Sequence, residues 1–183
     1  MVSLTRGLSV VVALALALTA CGQPSSVSWR NVTVDVPDGW YVIEQEDTRL
    51  SIANADIGPT EVGEPAREQP EGPVVAMWFT YEPNTLPDDW RRYVDDQDAT
   101  LESDDQIHLG AGDVPATRLV FSYTTNDIPT REMVVVIPSR AIVVLAQPVP
   151  RPGETGAPEV FLDHIQTFLE VLDTAEFGAP VLD

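Results

Sequence analysis

"ATRLVFSYTTNDIPTREMVVVIPSRAIVVLA", residues 116–146, decides the fold class. In "TRLVFSY", Leu119, Phe121 and Tyr123 take alternate positions, so they share one face of a strand. "MVVVI" and "AIVVLA" are continuous, mostly β-branched runs, as interior strands require. "TNDIP" and "PSR" supply the turns between the three runs. Turns that short join antiparallel neighbours, because a parallel connection needs a long crossover. The block therefore predicts an antiparallel sheet with strands over 116–124, 131–137 and 141–146.

Working outward, a further strand is expected over 106–109, ahead of the turn "AGDVP". Upstream, "TLPDDWRRYVDDQDA" reads as a helix. Pro87 suits a first helical turn, and Asp88 and Asp89 complement the positive end of the dipole. Trp90, Tyr93, Val94 and Gln97 follow i, i+3, i+4, i+7 spacing and form the docked stripe. Arg91 with Asp95 and Arg92 with Asp96 are expected as i, i+4 pairs on the outer face. "VVAMWFTY", 74–81, is apolar on both faces and reads as a central strand. Before it, 58–73 holds four Pro, three Gly and four Glu, which predicts an exposed loop.

The mature chain opens with "VTVDVPDGW". Residues 32–36 alternate with period two, "PDG" turns the chain, and 40–45 returns as a second strand. Residues 49–55 form a shorter third strand. At the other end, "QPVPRPGETGAP" is a second exposed loop. The last element, 158–172, carries Phe161, Ile165, Phe168, Leu169 and Leu172 at helical spacing. The expected order is ββββ-α-ββββ-α. The expected fold is α+β, a mainly antiparallel sheet flanked by two amphipathic helices.

That order, with Val34, Val36, Pro37, Gly39 and Trp40 in the opening hairpin, resembles the PsbP/Mog-like α/β/α sandwich. The helix around "WRRYVDD", the "GDVPATRLVFSY" arm and the closing helix carry the rest of the likeness, over residues 28–177. The resemblance is nearest to mycobacterial lipoproteins of the LpqN/LpqT type. It implies a domain that binds partners or assists assembly rather than one with enzyme chemistry. It supplies no functional residue except Cys21.

Cys21 is the single cysteine. Arg6 precedes an apolar run over 8–20, shorter than the roughly 20 residues a bilayer span needs. This matches a signal-peptide core behind a basic n-region. Leu18-Thr19-Ala20-Cys21 resembles the lipobox of bacterial lipoproteins. The resemblance implies diacylglycerol on Cys21 and cleavage after Ala20. A disulfide would need a second cysteine, and a zinc site would need clustered ligands. Cleavage at Ala15-Leu16-Ala17, leaving an incidental thiol, is the remaining alternative. The expected organisation is a signal peptide (1–20), a lipidated polar tether (21–28), a domain (29–177) and a tail (178–183). Two acyl chains, at about 0.8 kcal/mol per buried methylene, make a stable anchor. The expected location is the extracytoplasmic face of the cell membrane.

The 183 residues carry 10 basic and 29 acidic side chains, a net charge of −19. That balance excludes nucleic acid as a natural partner. Every basic residue is arginine, and the missing lysine points to a GC-rich, actinobacterial genome. A halophile, also acidic and lysine-poor, ranks second, since only 21% of residues are charged.

Chemistry-bearing motifs are few. No G-x-S-x-G turn accompanies His108 or His164, so no nucleophilic triad is assigned. "DDQDATLESDD" crowds Asp95, Asp96, Asp98, Glu102, Asp104 and Asp105, but lacks EF-hand spacing and its glycine. It reads as a solvated acidic face, with weak calcium binding as the alternative. Trp78, Phe79, Trp90 and Tyr93 read as core, or else as the lining of a groove between helix and sheet. No catalytic, cofactor-binding or metal-ligating residue is assigned. Three functions remain, in order: a membrane-anchored, non-catalytic binding or assembly module with an envelope protein partner; a carrier of a small apolar or glycan ligand; an envelope hydrolase.

Overall fold

The computed structural model describes residues 25–57, 71–125, 127–149 and 157–179. Cys21, Ala20 and most of the expected loop at 58–73 lie outside the described residues. The chain is α+β, with mostly antiparallel strands and two α-helices among the described residues. A seven-stranded antiparallel sheet is built from β3 (Tyr41–Gln45), β4 (Arg49–Ala53), β5 (Val75–Tyr81), β6 (Thr100–Leu109), β7 (Val114–Thr125), β8 (Ile128–Ile137) and β9 (Ile142–Pro148). Its spatial order is β3-β4-β5-β9-β8-β7-β6, which leaves β3 and β6 at the edges. The expected interior runs, β5, β8 and β9, occupy the middle.

Two expectations need correction. The opening segment does not join this sheet. β1 (Ser26–Trp29), β2 (Val32–Asp35) and β10 (Glu176–Phe177) form a separate three-stranded sheet, ordered β1-β2-β10. The "PDG" turn, with Gly39 at φ +79° and Trp40 N–H donating to the Pro37 carbonyl, carries the chain from one sheet to the other. The second correction concerns the tether. Ser26, Val27 and Ser28 belong to β1, Val27 is buried, and Trp29 is sealed with its Nε1 donating to the Glu46 carbonyl at 2.6 Å. A four-residue strand with two apolar positions is easily lost in a serine-rich stretch.

One register row crosses all seven strands: Ser103, Val120, Met133, Ala146, Met77, Ile52 and Val42. Its neighbour, on the other face, runs Asp104, Leu119, Val134, Leu145, Trp78, Ser51 and Glu44. The first face is apolar throughout its centre. It packs on α2 (Ala157–Thr174) and the small sheet. Phe161 and Phe168 are fully buried there, 5.8 Å apart, and Trp40 meets Phe168 edge-on at 6.2 Å. Beyond α2, Gly110 sits at φ +61° against the Ala175 carbonyl, where any added Cβ would collide.

The second face carries α1 (Pro87–Asp96). Pro87 opens the helix, and Asp89 reaches back to accept from the Leu86 N–H at 2.8 Å. Val94 is the buried anchor, packed with Leu119, Phe121, Val134, Val136 and Val143. Gln97 lies past the last turn as the C-cap and is exposed, so the docked stripe ends at Val94. The arginine pairs also differ from expectation. Arg91 binds Asp88 and, on β6, Asp104; Arg92 binds Asp89.

Candidate functional site

The beginning of β8 carries two polar residues on the α1 face, Thr130 and Glu132. Strand alternation puts them in phase with Val134 and Val136, so both point toward the layer that α1 covers. Glu132 is only 4% exposed and Thr130 3%. Thr130 lies opposite Tyr123 in the β7–β8 register, and Glu132 opposite Phe121. The Tyr123 hydroxyl donates to Glu132 Oε1. Thr130 Oγ1 is buried with no hydrogen-bond partner among the described residues.

Aromatic rings line this cluster on the α1 side. Trp90 and Tyr93 meet edge-on at 5.3 Å, Tyr93 and Phe121 at 6.3 Å, and Phe121 stacks on Tyr123 at 6.0 Å. Leu101 on β6 lies opposite Phe121. Tyr93 and Leu101 are 40% and 42% exposed, so the cluster has an apolar rim open to solvent.

The electrostatics follow from burial. Alternation sends Arg131 to the opposite face, where it holds Glu102 at 2.9 Å. Among the described residues, no arginine forms an ion pair with Glu132. Burial pushes its carboxyl up from the ordinary value, against the lowering effect of the Tyr123 hydroxyl. Tyr123 is pushed up by burial first, then by its bond to Glu132. Tyr93 is raised by burial first and then by the charge of Glu132.

A second recess lies at one end of the molecule. Ser28, Trp29, Arg30, Gln45, Glu46 and Asp47 line an open cavity of about 530 Å³. Its polar groups largely satisfy one another. Arg30 Nε donates to the Asp47 carbonyl at 2.6 Å, and Gln45 Nε2 to the Ser28 carbonyl at 2.9 Å. The Arg30 guanidinium lies over the Tyr81 ring at 3.7 Å. The Glu132 cluster, with an unpartnered hydroxyl and a carboxyl lacking a cation, has the greater unmet bonding capacity.

The four aromatics read as core, or else as a groove lining, divide between the two faces of the sheet. Phe79 points to the opposite face and is fully buried in the α2 layer. Trp78 lies on the α1 face between Leu145 and Ser51. The acidic stretch is divided between the end of α1 and β6. Asp104, Asp105 and Glu102 are held by Arg91, Arg118 and Arg131. Among the described residues, no three His, Cys, Asp or Glu side chains converge as a metal-binding group. His164 Nδ1 is 2.9 Å from the Val160 carbonyl one turn earlier on α2. His108 stands on the exposed phase of β6, opposite Pro115.

Sequence reasoning missed Glu132 and Thr130. The signal for Glu132 was available: within the expected strand over 131–137 it shares the phase of Val134 and Val136, a buried phase of an interior strand. No family model matches the chain, and no curated protein matches it.

Proposed function

We propose that this protein is a lipoprotein held on the extracytoplasmic face of the cell membrane by Cys21, acting there as a non-catalytic binding or assembly module for an envelope partner. The observation that carries this reading is the distance from Cys21 to the folded domain. β1 starts at Ser26, and the five steps from Cys21 span at most about 18 Å fully extended. Ser26 pairs with Asp35 at the end of the small sheet that leads into the Pro37–Gly39 turn. With Cys21 in the bilayer, the tether keeps Ser26 within about 18 Å of it. No helix among the described residues is long and apolar enough to cross a membrane. The domain itself we take as a PsbP/Mog-like sandwich, on the strength of two helices lying on opposite faces of a largely antiparallel sheet.

Metabolic labelling with a palmitate analogue tests the anchor. The wild-type protein is expected to carry label and partition with membranes, and Cys21→Ser to lose both. An unlabelled wild type, or a membrane-bound Cys21→Ser variant, overturns the anchor. In-cell crosslinking then tests the module, with capture of one envelope protein by the wild type and not by Cys21→Ser as the expected result.

A further inference from the structure

We propose that Glu132, Thr130, Tyr123 and Tyr93 form a binding site for a primary ammonium group carried on an apolar body. An ammonium has three N–H donors and no acceptor. The cluster offers the matching inventory. The Glu132 carboxyl can accept, and Thr130 Oγ1 is buried with its bonding capacity unused. The Tyr123 hydroxyl, which already donates to Glu132, keeps its own oxygen lone pairs. A buried carboxylate without a cation is costly, and an incoming cation offsets part of that cost. Burial raises the Glu132 carboxyl, as an uncompensated acid requires.

The rest of the site suits the apolar body. Trp90, Tyr93, Phe121 and Tyr123 form a continuous run of rings, whose faces attract cations. Half-exposed Tyr93 and Leu101 give an apolar approach from solvent. The net charge of −19 raises the concentration of cations around the whole domain.

The chain cannot supply the ammonium from a side chain of its own. All ten of its basic residues are arginine, and it has no lysine. Arg49, Arg91, Arg92, Arg118 and Arg131 already hold carboxylates elsewhere. No side chain of this protein supplies the group, whereas a free amine or the lysine side chain of another protein can. This inference gives a ligand class to the module proposed above and rests on that reading for its biological setting only.

The test is titration of the full chain with benzylamine and with its neutral isostere benzyl alcohol, followed by tryptophan fluorescence. Benzylamine is expected to saturate and to bind about tenfold more tightly than the alcohol, the scale of a hydrogen bond to a charged group. In Glu132→Gln, that preference disappears; in Thr130→Val, amine affinity falls about tenfold, since that bond too is made to a charged group. Nα-acetyl-lysinamide is the third probe. Binding tighter than benzylamine assigns the site to a protein lysine, and weaker binding to a free amine. Equal binding of amine and alcohol by the wild type overturns the proposal. So does amine binding unchanged in a folded Glu132→Gln. Should that variant not fold, the wild-type amine preference and the Thr130→Val loss decide alone. Labelling of Cys21 is a separate readout, so failure of the site leaves the anchor reading standing.

Discussion

The two faces of the seven-stranded sheet are built to different standards. Toward α2 and the small sheet, Met77, Phe79, Met133, Val135, Phe161 and Phe168 meet with no polar side chain among them. Toward α1, Val94 anchors one short helix, and the same layer admits Glu132, Thr130 and Ser51. Trp90, Tyr123 and Leu145 there are only partly buried. Apolar burial supplies the main favourable term in folding, and buried polar groups without full partners subtract from it. The α2 face is therefore the seat of stability. The α1 face holds unmet bonding capacity that a ligand or partner can use.

The largest effects should come from the α2 face. Phe168→Ala removes a ring that touches both Trp40 and Phe161 and leaves a cavity in a layer that cannot collapse around it. A loss of about 3–5 kcal/mol is expected in urea unfolding, enough to approach the stability of a whole domain. A loss under about 1 kcal/mol would mean the α2 layer is not the main core.

Tyr123→Phe comes next. It keeps the stack on Phe121 but deprives Glu132 of its donor, for an expected cost of about 1–3 kcal/mol. Glu132→Gln has the opposite sign. The folded-state carboxyl is raised above its unfolded value near 4.5, so its contribution is fully present below that pH and lost as pH rises through the raised value. The glutamine stays neutral throughout and can still accept from Tyr123. It should match the wild type in acid and exceed it by about 1 kcal/mol at neutral pH. Parallel pH profiles for the two proteins would show that Glu132 is not held against its own charge.

Much of this contrast was legible in the sequence. β5, β8 and β9 announce themselves as interior strands, because strands covered on both faces need apolar residues at every position. The α2 stripe was readable from spacing alone, whereas on α1 spacing found Val94 but also chose Tyr93 and Gln97, which are exposed. The separate small sheet was not. Ser26–Trp29 and Glu176–Phe177 are too short to show a period, and their pairing with Val32–Asp35 joins the two ends of the chain. β6 was expected only from Gln106 onward, because Glu102, Asp104 and Asp105 look like loop residues. They are tolerated in a strand because it lies at the edge and because arginines on α1, β7 and β8 reach across to them. Glu132 was overlooked because a glutamate beside an arginine suggests an exposed position, and only the phase of the strand says otherwise.

The smallest effect tests how α1 is held on its less secure face. Helical spacing alone pairs Arg91 with Asp95, which would leave the helix joined to the sheet by apolar contacts only. Instead, the Arg91 guanidinium forms two bonds to Asp104, at 2.7 and 2.8 Å, bolting α1 to the edge strand. Its hydrogen bonds hold the Asp104 carboxyl below the ordinary value, so this contribution is present above pH 3.8 and lost as pH falls. That is the reverse of the Glu132 profile on the same face. The pair is partly exposed, so Arg91→Ala should cost only about 0.5–1 kcal/mol, with less lost at 1 M salt. A double-mutant cycle separates the two pairings. Arg91→Ala with Asp104→Ala should show coupling of about 0.5 kcal/mol, and Arg91→Ala with Asp95→Ala should be additive. Coupling to Asp95 instead would return α1 to a helix held by Val94 and its aromatic neighbours alone. The site beside it would then be bounded by a more weakly fixed wall.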